Sequence, residues 1–310
     1  MKLLTYSLDK HTYRLGILLD ENVLCDPQRV YLEKLKALGQ ARADIVANAL
    51  LPSAPADFLN TGDLAIRTAQ EALEYASRHS NLPGIYQLDR VHLGAPIWRP
   101  GKIICVGLNY KDHIAEMGRD FPAHPVIFAK YATAVAGPFD AFPWKRSLTK
   151  KLDYEGELAV VIGKRAKNVS QESALEYVAG YTIANDISAR DLQKRTIQWL
   201  QGKTLDKSLP IGPYLVTKDE IPDPHNLDIR VTVNGQPRQK SNTSQLLFNV
   251  NQLVEFLSNL MTLEPGDIIC TGTPGGVGEA QNLFLDNGDV VRVEIEQIGF
   301  LETRITEVNE

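Results

Sequence analysis

The spacing of apolar residues divides the chain into two stretches of different character. Near the start, "KLLTYSL" and "RLGILLD" read as short strands. Residues 30–51 and 63–80 instead place apolar side chains three and four apart, the period of a helix with one buried face. Residues 82–101 then gather Pro83, Gly84, Gly94, Pro96, Pro100 and Gly101, which punctuate a connection rather than an element. The pattern predicts a small α/β unit over residues 1–98 and a larger unit over residues 99–310.

In the larger unit the short period of strands dominates. "KIICVGL", "PVIFAK", "GELAVVIG", "GYTIANDIS", "GPYLVT", "LDIRVTV", "DIICTGT", "DVVRVEIEQI" and "FLETRITEV" are strand-like runs separated by turn residues. Helical spacing is confined to residues 110–117, 171–177, 189–196 and 250–261. Asn234-Gly235 in "VTVNGQPRQ" is a strong hairpin signal, since both residues tolerate the positive φ of a two-residue turn. Strands outnumber helices and do not alternate with them, so the expected class is α+β, mainly β, a sandwich or roll rather than a doubly wound parallel sheet.

One of these runs carries charges that its pattern does not explain. In "KLDYEGELAVVIG", Glu155 and Glu157 lie two apart and share a strand face with Ala159, while Gly156, Leu158 and Val160 take the other. An outward polar face is the bland reading, but "LAVVIG" continues both faces as apolar and so places the acids inside. Two buried neighbouring carboxylates either share a proton or are neutralised by a cation. Asp186, in "GYTIANDISARDLQ", shares a face with Thr182 and Ala184 and offers a third oxygen ligand. Three carboxylates without Cys or His suit a hard ion, Mg2+ or Mn2+ rather than zinc, with Ca2+ also fitting.

Composition narrows the partners. Among 310 residues, 33 Lys and Arg against 38 Asp and Glu leave a net charge of -5, which offers nothing to neutralise phosphates and argues against nucleic acid. The three cysteines are far apart and fit no zinc spacing or even framework, so they are expected reduced and buried, in a cytoplasmic protein. No run is apolar for the length of a membrane span, and the first residues lack the apolar core of a secretion signal.

"LDYEGELAVVIGK", "NDISARDLQ", "QGKTLDKSLPIGP" and "TGTPGGVG", in this order over roughly residues 102–305, resemble the fumarylacetoacetate hydrolase family, in particular its acylpyruvase and oxaloacetate decarboxylase branch. The resemblance implies a mixed β-sandwich roll of the fumarylacetoacetase C-terminal type behind a small N-terminal domain. It also implies a homodimer, and Mg2+ or Mn2+ held by Glu155, Glu157 and Asp186. His113 and Glu116 in "NYKDHIAEMG" lie three apart, on one helical face, and match a family pair that activates water. Arg190 and Gln193 match positions that bind the substrate's carboxylate and keto oxygens, a task suited to the planar fork of arginine. Lys203 in "QGKTLD" matches a lysine beside the metal, where a cation stabilises an enolate, with Lys207 as the competing choice. Thr273 matches a threonine that binds the substrate carboxylate. Its glycine-rich loop lacks the following Lys-Ser or Lys-Thr of a phosphate cradle. Tyr110 and Lys130 are further candidates for the pocket lining. "MGRDFPAHPVIF" is either a loop that closes over substrate or a static connection.

The resemblance implies a metal-dependent hydrolase that cleaves a carbon–carbon bond in acylpyruvate or fumarylpyruvate-type dioxo acids, with a pyruvate enolate leaving. Oxaloacetate decarboxylation would pass through the same enolate without water, and isomerisation or decarboxylation of dioxo acids from aromatic degradation is a further alternative. A metal-dependent oxo-acid binding module would need the acids but not His113 or Glu116. A structural β-roll would need neither.

Overall fold

The strand that carries the acidic pair has no solvent face: all seven residues of Gly156–Ile162 are buried. The structure is a computed structural model that describes residues 1–79 and 81–308. In it this strand runs near the middle of a 12-stranded sheet. The sheet's order is Ile85–Gln87, Val23–Cys25, Arg14–Asp20, Lys2–Ser7, Leu209–Thr217, Val178–Asn185, Gly156–Ile162, Ile268–Cys270, Ile103–Gly107 and Val126–Lys130. His92–Gly94 and Val135–Ala136 pair from the side with Lys2–Ser7 and Leu209–Thr217. The first 98 residues thus enter the same sheet as the rest, through the antiparallel pairing of Lys2 and Leu3 with Val216 and Leu215.

Alternation along Gly156–Ile162 decides what each face meets. Leu158, Val160 and Ile162 point into a core shared with Val231, Val291 and Val293 of a second, five-stranded sheet and with Val250, Val254 and Leu257 of the helix Val250–Leu260. Ala159 and Val161 point the other way, into a core closed by Phe58, Ala65, Ala69 and Ala72 of the helices Pro55–Thr61 and Asp63–Arg78. Small residues on these helices let them lie close to the sheet. The N-terminal segment therefore covers the face of the sheet on which Glu157 stands, which is why "LAVVIG" reads as apolar on both sides.

Most strand-like runs form strands where the pattern places them. The hairpin turns at Asn234 and Gly235, with φ of 52° and 76°, between the paired strands Asp228–Val233 and Gln236–Asn242. The helices differ more. The helical stretch over residues 30–51 is two helices, Pro27–Ala37 and Ala43–Leu50, because the chain turns at Leu38 and Gly39 and Arg42 is left-handed. The second stretch gives Asp63–Arg78, and Ser80, its expected last residue, lies outside the described residues. Gln171–Tyr177 is a 3₁₀ helix, and the stretch over residues 189–196 shrinks to Arg190–Gln193 because Ser188 and Ala189 pair as a strand with Asp153 and Leu152. Cys25, Cys105 and Cys270 are free and buried, as expected. Among the described residues no helix is long and apolar enough to cross a membrane.

Gly156 fixes how the acidic strand seats on the second sheet. A Cβ at this position would lie 2.4 Å from Val231 Cγ2 and 2.9 Å from Val293 Cγ1, so only glycine lets the two sheets approach here. Gly156→Ala should lower unfolding stability by about 1–3 kcal/mol, the usual cost of overpacking a core. Urea unfolding measures it, and a change below about 0.5 kcal/mol, the size of a neutral surface substitution, would contradict the packing described.

Candidate active site

Strand register brings the three acids together. Gly156 pairs with Asn185 and Glu157 with Ala184, so Asp186 falls opposite Glu155, and its N–H donates to the Glu155 carbonyl at 2.8 Å. Opposite residues of an antiparallel pair share a face, and Glu155 and Glu157 share theirs by period two. The result is a set of three buried carboxylates whose ligand oxygens lie within 4.8 Å of one another.

Buried cations surround two of the three. Lys203 Nζ donates to Glu155 Oε2 at 2.5 Å and to Asp186 Oδ2 at 2.8 Å, and Lys130 Nζ donates to Asp186 Oδ1 at 2.7 Å. Arg190 pairs with Glu155 Oε1 through Nη1 at 2.7 Å and donates Nε to Asp153 Oδ2 at 2.8 Å. Burial alone would raise the pKa of Glu155, but Lys203 and Arg190 outweigh it and hold it at about 2. Among the described residues Glu157 has no ion-pair partner, and it accepts the Gly272 N–H at 2.7 Å. Burial, with Cys270, Asp186 and Glu155 nearby, pushes its pKa well up. Burial would lower the pKa of Lys203, but Asp186 and Glu155 raise it, so the ammonium stays charged.

The remaining candidates gather around the same cleft, which is lined by His113, Gln193 and Thr273 together with Glu155, Glu157, Arg190 and Lys203. His113 Nδ1 lies 3.7 Å from Glu116 Oε2, too long for a hydrogen bond, and Nδ1 is buried without a partner. Burial depresses the imidazole pKa, Arg190 adds to this, and Glu155 and Glu116 oppose it, so the ring is neutral near pH 7. Glu116 lines no part of the cleft and instead accepts the Gly276 N–H at 2.9 Å. Gln193 accepts from Arg190 Nη1 at 3.1 Å, while Arg190 Nη2 is buried without a partner. Lys203, not the exposed Lys207, enters the cluster. Tyr110 is buried but does not line the cleft, and Lys130 lies beneath it against Asp186.

Several residues that hold this arrangement were not among the sequence candidates. Asp153 anchors Arg190 and accepts the N–H groups of Gly278 and Glu279 at 2.7 and 2.9 Å. It stands two before Glu155 in "LDYEGE", a spacing that signals a third acid on the same side. Gln239 takes the Gly156 N–H at 3.0 Å and donates to Thr273 Oγ1 at 2.8 Å, tying the hairpin to the loop after Ile268–Cys270. Asp112 accepts the Ser241 hydroxyl at 2.6 Å and so braces the short helix that carries His113. Local spacing carries no trace of these last two, because the Gln239–Gly156 and Asp112–Ser241 pairs each span more than 80 residues.

Residues 102–306 match the family described as Fumarylacetoacetate (FAA) hydrolase C-terminal. The chain belongs to this family. It is 45% identical over 265 residues to "Oxaloacetate tautomerase fahd2, mitochondrial" of Xenopus laevis, covering 83% of this chain and 81% of that protein. It is 43% identical over 280 residues to "Oxaloacetate tautomerase YisK" of Bacillus subtilis, covering 88% and 93%. Among solved structures it resembles maleylpyruvate hydrolase from Sphingobium sp. SYK-6, in complex with manganese (II) ion and pyruvate, with a TM-score of 0.75, 28% identity and full coverage of both chains. The fold is thus that of the fumarylacetoacetate hydrolase family, and the acidic triad is its potential divalent-metal site.

The donor set of this family member fits such an ion. All three ligands are hard oxygens, which favours Mg2+ or Mn2+ over a soft metal. Four buried carboxylates, Asp153, Glu155, Glu157 and Asp186, face three buried cations, Lys130, Arg190 and Lys203. A divalent ion would turn this deficit into a single positive charge, matched to a carboxylate ligand. The raised pKa of Glu157 means that the metal-free native state holds this proton more tightly than the unfolded chain. Stability from this group is therefore full below its unfolded value of 4.5 and is lost as pH rises above it. Glu157→Gln keeps an acceptor for Gly272 and should flatten that fall, raising the metal-free melting temperature at pH 7. The same change should abolish the gain in melting temperature that Mn2+ gives the wild type. Thermal scans with and without Mn2+ test both, and a full Mn2+ shift in the variant would remove Glu157 from the site.

Proposed function

We propose that the protein is a metal-dependent enzyme that interconverts the keto and enol forms of a small 2-oxo acid, with oxaloacetate as the substrate to test first. The observation that carries this reading is a buried neutral imidazole, His113, in one cleft with Glu155, Glu157 and the ammonium of Lys203, while Asp186 lies buried behind them. Tautomerisation needs a base for a carbon-bound proton and positive charge for the oxygen that becomes an enolate. The relatives named oxaloacetate tautomerase, at 43–45% identity over most of both chains, support the same choice.

Each residue has a defined task in this reading. Arg190 binds the substrate carboxylate through Nη2, the donor that is buried without a partner, while its other nitrogens remain on Glu155 and Asp153. Gln193 and Thr273 orient the oxo-acid head from the cleft lining. His113 removes a proton from the carbon beside the keto group and its imidazolium returns that proton to the enolate oxygen, so the base is restored and no water is consumed. Glu116, 3.7 Å behind the ring, stabilises the imidazolium through its charge. Lys203 stabilises the enolate oxygen. Mg2+ or Mn2+, held by Glu155, Glu157 and Asp186, would supply further electron withdrawal from the chelated oxo acid.

Cleavage of acylpyruvates is the second reading, favoured by one observation. The Gly276 N–H fixes Glu116 beside His113, an arrangement suited to activating a water molecule. Homodimerisation belongs with these proposals: the sheet ends at Val126–Lys130, where Ile127 and Tyr131 are exposed, and size-exclusion chromatography decides it.

Decay of the ultraviolet absorbance of oxaloacetate enol, followed with saturating Mg2+, measures tautomerisation. Pyruvate release from acetylpyruvate measures hydrolysis. His113→Asn should slow ketonisation by about 10²–10⁴-fold, the range for losing a general base, while the metal-induced melting shift persists. Unchanged ketonisation in the variant would remove His113 from the mechanism. Acetylpyruvate cleavage outpacing ketonisation in the wild type would favour the second reading.

A further inference from the structure

One side of the cleft is apolar and has no task in the proposed chemistry. Trp199 precedes the short helix Leu200–Lys203 and lines this side with Val106, Gly107 and Phe128. A Cβ on Gly107 would lie 2.5 Å from Trp199 Cζ3 and 2.9 Å from Cη2, so the indole occupies the space that any side chain at 107 would take. Phe128 meets the same indole edge-on, with ring centroids 5.5 Å apart and planes at 69°. Lys203 Nζ lies 5.2 Å from the Phe128 centroid. Contacts thus run from the end of the strand Ile103–Gly107, through two aromatic rings, to the ammonium that spans Glu155 and Asp186.

We infer that Trp199 is a specificity-determining residue, a rigid wall that restricts the site to 2-oxo acids with a short chain beyond the keto carbon. This rests on the oxo-acid reading of the same site. The charged groups that take a carboxylate and keto oxygen, Arg190 and Lys203, anchor the head of the substrate. The tail of the substrate enters the part of the cleft bounded by Val106, Phe128 and Trp199. An alkyl chain would gain affinity there by burying methylenes, each worth about fourfold, if room existed. The indole, seated on Gly107 and braced by Phe128, takes that room. A flat, short C3 or C4 oxo acid fits beneath it, and a long acyl chain does not.

The test is binding rather than turnover. Calorimetry in the presence of Mn2+ compares pyruvate, 2-oxobutanoate, 2-oxohexanoate and 2-oxooctanoate on the wild type, Trp199→Ala and Trp199→Phe. In the wild type, affinity falls with chain length. In Trp199→Ala the affinity ratio of 2-oxooctanoate to pyruvate should rise at least tenfold, and in Trp199→Phe, which keeps a flat wall, it should stay within threefold of the wild type. Thermal scans with Mn2+ establish that each variant is folded, and Trp199→Leu is read by the same ratio where the alanine variant is not. An unchanged ratio in a folded alanine or leucine variant overturns the inference alone. Failure of the wild type to bind any 2-oxo acid overturns the oxo-acid reading and this inference together.

Discussion

Like charges inside a dry protein repel one another and lose their hydration, and this fold keeps three carboxylates in that condition at the end of a buried strand pair. Everything around them answers that cost. Lys203 and Arg190 hold Glu155 ionised, Lys130 and Lys203 pair with Asp186, and Asp153 in turn satisfies Arg190. Buried ion pairs contribute little net stability, because desolvation consumes most of their attraction. A network of this size is better explained by what it can bind than by what it stabilises. Glu157, without an ion-pair partner among the described residues and with its pKa pushed up, marks where positive charge is still needed.

The architecture supplies rigidity on both sides of that point. One face of Gly156–Ile162 rests on the five-stranded sheet through the gap that Gly156 leaves, and the other lies under the N-terminal helices. The N-terminal segment is then part of the site's support, since it buries the face of the sheet from which Glu157 projects. Loops at the ends of these strands bring His113, Arg190, Lys203 and Thr273 to one cleft, so chemistry on short connections is positioned by a fixed sheet. In the proposed reading, an enolate formed at such a site leads to proton transfer, decarboxylation or carbon–carbon cleavage according to what the cleft admits. Trp199, which lines the apolar side of the cleft, is the residue we infer to govern substrate choice.

Much of this was legible in the sequence where the signal was local. Period two placed Glu155 and Glu157 on one face, the apolar run after them placed that face indoors, and Asn234-Gly235 marked its hairpin. The ordered motifs that resemble the family pointed to Asp186, Arg190 and Lys203, and the structure brings all three to the two glutamates. Long-range contacts were not legible. Nothing near Gln239 announces that it holds both Gly156 and Thr273, and nothing near Gly107 announces an indole from residue 199. Helix limits failed where tertiary pairing overrode local spacing, as at Ala189, which joins a strand instead of opening the expected helix.

Glu155, Glu157 and Asp186 lie close enough together to hold one divalent ion. Anomalous scattering from crystals grown with Mn2+ tests this most directly. A single strong peak per chain is expected, bonded to oxygens of all three side chains at about 2.0–2.2 Å, near the bond lengths of small hard divalent ions. A map with no peak among these carboxylates, or with manganese only at the protein surface, would contradict it.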